Sequence, residues 1–120
     1  MPPTFHRRRF LVAAATLPVA LGLWRAGWNR FTILNDSRQR IVTLTVTVCG
    51  RNFMFADIPS GERRTARFGT PSDEDTFHVT GTLGDGTVIA DYCGYVAWED
   101  HGRHFRLVVR PDGGTSCAPV

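Results

Sequence analysis

The sequence contains no lysine, so all 14 of its basic residues are arginine. It also lacks the local patterns that announce most chemistries. There is no phosphate-binding loop, no His-Glu-x-x-His pair and no carboxylate pair in a recognisable context. A Cys₂His₂ finger is absent, and no Ser-His-Asp arrangement can be argued from spacing. No segment after residue 30 has a helical period, and no repeat or low-complexity tract occurs. No cysteine closely follows the N-terminal apolar run, which argues against a bacterial lipoprotein anchor. The chain is therefore expected to be non-enzymatic, to need no cofactor, and to be recognisable mainly by location and fold.

The 120 residues fit one domain. Hydrophobic residues at 42% and charged residues at 21% describe a globular chain, not a disordered or collagen-like one. The formal charge of +3 and isoelectric point near 9.1 are unevenly distributed. Of the 14 arginines, five precede residue 31 and nine follow it, while all 11 acids follow it, leaving residues 31–120 at net −2. On that balance no nucleic-acid partner is expected, because such a domain needs its positive charge on the folded face.

Residues 1–30 read as an address, and residues 31–120 as the folded domain. Arg7, Arg8 and Arg9 precede fifteen uncharged residues, Phe10 to Trp24. This is a basic region before an apolar run, as in an export signal or a short membrane anchor. A spanning helix needs ~20 residues with a minimum of ~17. Extension to Trp28 reaches that length if Arg25 snorkels and Trp24 and Trp28 lie at headgroup level. A helix of 15–19 residues, packing little on the domain, is expected. Cleavage after Gly22 is the alternative, and a core helix a third. Arg7-Arg8-Arg9-Phe10-Leu11 also resembles the twin-arginine export motif, with His6 and Val12 departing from it. Arginines held inside place residues 31–120 in the periplasm, tethered to the bacterial inner membrane through residues 10–28, or soluble there after cleavage.

Residues 41–48, IVTLTVTV, alternate strictly. That pattern predicts Val42, Leu44, Val46 and Val48 inward and Thr43, Thr45 and Thr47 outward. Other strands are expected at 31–35, around Phe53 and Phe55, at 62–68, from Thr76 to Leu83, at 87–97, and around Phe105, Leu107 and Val109. The apolar segment 87–97 is expected at the centre of a sheet. Ile58-Pro59-Ser60-Gly61 suits a type I turn with proline second, and Gly84-Asp85-Gly86 a hairpin. Val42, Leu44, Val46, Phe53, Phe55, Phe77, Val79, Leu107 and Val109 form the expected core. The fold class is all-β: a seven-stranded antiparallel sandwich preceded by one N-terminal apolar helix.

Asn35 after a short strand, then Ile58-Pro59-Ser60-Gly61-Glu62, Asp85-Gly86 and Cys93-Gly94-Tyr95-Val96, resemble a group of small bacterial exported or membrane-anchored proteins with a single immunoglobulin-like sandwich. The resemblance covers roughly residues 31–110 and rests on turn chemistry. It implies a fold and a location, and carries over no functional residue.

Three cysteines in an oxidising compartment predict one disulfide and one thiol. Cys93 with Cys117 is the favoured pair, since Gly113-Gly114 allows the tail to fold back, and Cys49 is the other candidate. His101 and His104, three apart beside Glu99 and Asp100, are the candidate metal ligands. Asp73, Glu74 and Asp75 lack the glycine and terminal glutamate of a calcium loop. The threonine row 43-45-47 invites comparison with ice-binding arrays, yet solvent-facing threonine is what β-propensity selects. Arg63 and Arg67 fall on one face of a polar strand, suited to anionic lipid, to cell wall, or simply to guarding an edge. The leading functional expectation is a membrane-tethered periplasmic module contacting an envelope protein or the envelope surface. The alternatives are a small exported metal-binding domain using His101 and His104, and an exported enzyme of unknown chemistry.

Overall fold

The computed structural model describes residues 28–69, 74–97 and 99–120. The expected N-terminal helix lies outside the described residues, as do Asp73 and Trp98. Eight strands follow in order: β1 Asn29–Asn35, β2 Ile41–Val48, β3 Arg51–Ile58, β4 Arg63–Phe68, β5 Asp75–Leu83, β6 Val88–Val96, β7 His104–Val109 and β8 Thr115–Pro119. They form two four-stranded sheets, ordered β4-β1-β7-β8 and β3-β2-β5-β6. Among the described residues no helix is long and apolar enough to cross a membrane.

Two features correct the expected seven-stranded antiparallel count. β8 is an eighth strand, paired antiparallel with β7. β1 and β7 run parallel, Arg30 opposite His104 and Asn35 opposite Val109. A parallel pair requires a long crossover, and here the intervening strands β2 to β6 provide it.

Among the described residues sixteen apolar side chains are buried between the sheets. Phe31, the third residue of β1, meets the rings of Phe53, Phe68 and Phe77 at centroid distances of 5.3, 6.1 and 5.8 Å. Phe77 meets Phe105 at 5.4 Å, edge to face, an arrangement favoured by the ring quadrupoles. Leu44, Val46, Phe77, Val79, Leu107 and Val109 are buried as the alternation requires. Phe53 and Phe55 pack on the core only half-buried, because β3 is an edge strand.

Val42 does not join them. It is 38% exposed, and Ile41 is buried in its stead. The register of β2 against β5 steps from Ile41–Leu83 to Thr43–Thr82, so β2 spends two residues where β5 spends one. This β-bulge reverses side-chain parity before Thr43. Gly81 lies beside it, where an added Cβ would collide with the Thr43 carbonyl oxygen. Only glycine admits so close a backbone approach.

The segment read as a central strand is β6, an edge strand. Its apolar and aromatic residues Val88, Tyr92 and Tyr95 face solvent. The turn at residues 59–62 is also displaced by one residue from the expected frame. Glu62 N–H donates to the Pro59 carbonyl at 3.1 Å, and Gly61, at φ +81°, takes the third position. That position of a type II turn requires positive φ. The hairpin β2–β3 turns on Cys49 and Gly50 alone, both at positive φ, as the twist-matching I′ geometry demands.

Candidate functional site

The favoured disulfide is present. Cys93 on β6 and Cys117 on β8 are joined, with Cα atoms 5.2 Å apart. These strands are edges of different sheets, so the bond closes one side of the sandwich covalently. Two residues before each cysteine, a polar bridge repeats the connection. Asp91 accepts from the Thr115 backbone N–H at 3.1 Å and its hydroxyl at 2.9 Å. These bonds, backbone first, hold the Asp91 carboxyl below its usual range. Gly94 completes the closure at φ +69°, where an added Cβ would stand 2.7 Å from the Cys117 Cβ. The register slips here too: Phe77 faces Cys93 while Asp75 faces Val96, so β6 carries one residue more.

Cys49 is the free thiol. Partial burial, aided by the charge of Asp75, pushes it up to about 11, so it is protonated at neutral pH and a poor nucleophile. Asp75 spends its carboxylate locally, accepting from the Cys49 N–H at 2.6 Å and the Thr76 N–H at 2.8 Å. Glu74 accepts from the Tyr95 hydroxyl, whose pKa is pushed up to about 12 chiefly by that bond. Both acids proposed beside Asp73 thus have partners within the fold.

The loop around His101 is equally committed. Asp100 is buried, accepting from Ala97 N–H at 2.8 Å and pairing with Arg103 at 3.1 Å. Buried Asn29 ties the loop to β1, donating to the Asp100 carbonyl and accepting from Arg103 N–H. His101 is exposed on this loop, while His104 opens β7 half-buried. The His104 Nε2 lies 2.7 Å from the Thr32 hydroxyl. Desolvation first, then Arg30 and Arg106, hold the His104 pKa below its usual value. Among the described residues no three His, Cys, Asp or Glu side chains converge as a metal site would require.

Sequence reasoning missed Asn35 as a structural hub. It is fully buried. Its Nδ2 donates to the Gln39 and Ile58 carbonyls at 2.8 and 2.9 Å, and its Oδ1 accepts from the Ser37 hydroxyl at 2.6 Å. Ser60 donates to the Ser37 carbonyl, so the β1–β2 loop and the 59–62 turn are fastened together.

The outer faces of the sheets carry the remaining functional information. On β3-β2-β5-β6, cross-strand register aligns three rows: Asn52-Thr47-His78-Tyr92, Met54-Thr45-Thr80-Ala90 and Ala56-Thr43-Thr82-Val88. None of these twelve residues is acidic or an arginine. Thr43 and Thr82 lie 3.2 Å apart through their hydroxyls, and His78 stacks on Tyr92 with centroids 4.3 Å apart. Met54 at 81% and Tyr92 at 67% are exposed. On β4-β1-β7-β8 the outward residues include Arg63, Arg67, Arg30 and Arg106.

The geometry defines a two-layer β-sandwich with one covalently closed side. No family model matches the chain, and no curated protein matches it. Among solved structures it is similar to a protein from Eubacterium rectale determined by NMR. That match has a TM-score of 0.56 at 12% identity and covers 78% of this chain and 88% of that one. It also matches part of a disulfide-locked mutant of intermedilysin with human CD59, at a TM-score of 0.39 and 11% identity, covering 78% of this chain and 24% of that one. At such identities the first likeness speaks for the fold alone, and the second carries no argument.

Proposed function

We propose that this protein is exported and held at the membrane by its N-terminal segment, where its sandwich serves as a non-enzymatic interaction module of the cell envelope. The observation that carries this reading is the Cys93–Cys117 bond between edge strands of opposite sheets. Structural disulfides of this kind persist in oxidising compartments. The basic and apolar residues 7–24, four residues ahead of β1, support the same address. A non-catalytic role is supported by the use of Asp75, Asp91, Asp100 and His104 in bonds that hold the fold. Kinship with immunoglobulin-like sandwiches is supported by the two layers alone. Constant-type immunoglobulin domains keep their first two strands in one sheet, whereas β1 and β2 lie in different sheets here.

The test is maleimide trapping of thiols in intact cells, with carbonate washing of their membranes. After denaturation one of the three cysteines should label before reduction and all three after it, and the protein should stay with the membrane pellet. Three reactive thiols in the denatured but unreduced protein would refute export, and full release by carbonate would refute the tether. Crosslinking from the same membranes identifies the envelope partner.

A further inference from the structure

The net charge of −2 in residues 31–120 conceals a segregation that only strand pairing reveals. On the outer face of β4-β1-β7-β8 the register aligns Arg67-Arg30-His104, then Thr65-Thr32-Arg106-Ala118, then Arg63-Leu34-Val108-Ser116. Arg30, Arg63, Arg67 and Arg106 are all exposed, and among the described residues no Asp or Glu side chain belongs to these rows. The ion pairs among the described residues engage Arg40, Arg64, Arg103 and Arg110 instead. The acid preceding β4, Glu62, lies 3.9 Å from Arg64.

Such a face is costly to the isolated fold. Arg30 and Arg67 are direct cross-strand partners, and like charges in that relation destabilise a sheet. Among the described residues no acid is paired with either of them, so an external anion would relieve the repulsion. A four-stranded face with arginine forks at several heights matches an array of phosphates better than a single ligand. The placement of the face narrows the source. The row Arg67-Arg30-His104 stands at the N-terminal end of β1. The uncharged run ends at Trp24, and six residues reach at most about 20 Å to Arg30. A chain leaving a bilayer there brings this row to the headgroups first.

We propose that the outer face of β4-β1-β7-β8 rests on the anionic phospholipid headgroups of the membrane, with Arg30, Arg63, Arg67 and Arg106 as the phosphate contacts. This builds on the tethered reading for the membrane it meets, but the binding itself is a property of the folded domain. Among the described residues, 28–120 hold the eight strands and the sixteen buried apolar side chains, and a cooperative thermal transition of this fragment is required before its binding is read. Residues 28–120 contain ten arginines and eleven acids, so net charge does not draw them to an anionic surface.

The experiment is sedimentation of residues 28–120 with phosphatidylcholine vesicles, with and without phosphatidylglycerol. Binding is expected to the anionic vesicles alone, and to fall steeply with added salt. Each arginine near the surface contributes about fivefold to partitioning, so Arg67→Glu with Arg106→Glu should reduce it at least about 25-fold. Arg38→Glu with Arg51→Glu, the same charge change off the face, should cost under about fivefold on the same scale. Thermal midpoints no lower than that of the unaltered fragment in both double variants confirm that folding is intact. No binding at low salt, or equal loss in the two double variants, would overturn the proposal. Displacement from vesicles by duplex DNA at equal phosphate would overturn the lipid assignment in favour of a nucleic acid. None of these outcomes depends on the anchor, whose failure is read separately by carbonate release of the full chain.

Discussion

The two open sides of the sandwich are closed by different means. At one side β6 meets β8 through the Cys93–Cys117 bond, the Asp91–Thr115 bridge and the close approach of Gly94. At the other, β3 and β4 are joined through the turn at residues 59–62, with Phe53 and Phe55 half-buried behind β3. The first closure links elements 24 residues apart by a covalent bond. The second relies on short-range chain connectivity, the Asn35 hub and apolar contact. A crosslink acts by restricting the unfolded chain, whereas a hydrophobic rim acts only where its rings leave water. The stitched side should therefore open last under native conditions, and the β3–β4 side first.

Phe31 belongs to neither side, and its loss should exceed any effect at either. Phe31→Ala removes a ring that touches Phe53, Phe68 and Phe77 together. Chemical denaturation should show a loss of about 3–5 kcal/mol. Replacing both Cys93 and Cys117 with alanine should cost about 3 kcal/mol, by the entropy of a loop of this length. Phe55→Ala at the opposite side should cost only about 1–2 kcal/mol, since its ring is half-buried. If the two changes ranked the other way, the contrast between the sides would fail. Hydrogen exchange sharpens the point: β3 amides should exchange before those of β6, and loss of the disulfide should remove that order.

Asp91 gives the stitched side a pH signature. Its folded pKa is lowered, first by the Thr115 backbone N–H and then by the Thr115 hydroxyl. The stabilisation is complete above the ordinary carboxylate pKa of about 3.9, and is lost as pH falls through the lower folded value. Thermal midpoints of wild type and Asp91→Asn should differ at neutral pH and converge in acid. The smallest effect is expected at the bulge. Val42→Thr should change stability by no more than about 0.5 kcal/mol, because the side chain faces solvent. Val46→Thr, which buries a hydroxyl, should cost about 1–3 kcal/mol in the same denaturation assay.

Much of this was legible in the residues. Strict alternation placed β2 correctly from Thr43 onward, since a one-residue slip would bury threonines and expose valines. β8 escaped because TSCAP has no apolar alternation, and of its residues only Thr115 is buried. β6 was misread because an apolar strand looks central, whereas Val88, Tyr92 and Tyr95 lie on an outer face while Ile89 and Val96 enter the core. The bulge at Val42 leaves no mark in the alternating run itself. Its available signal was Gly81, an isolated glycine within a strand pattern across the sheet. The metal candidates were chosen by sequence spacing, and the fold spends Asp100 on its own loop and joins His104 to Thr32.

The sequence by itself determined the all-β class and most strand positions, and favoured Cys93 with Cys117 while leaving Cys49 as the alternative. These depend on a period of two, on turn residues and on a flexible glycine pair, all of which are local. Tertiary structure alone decided which strands became edges, where parity broke and which arginines share a face. Arg30 read as part of an N-terminal address, while strand pairing set it beside Arg67 and one strand from Arg106. The reason is physical. Alternation tells a residue which side of its own strand it occupies, but the charge of a sheet face is a sum over strands distant in the chain, and only their hydrogen-bonded register brings those residues together.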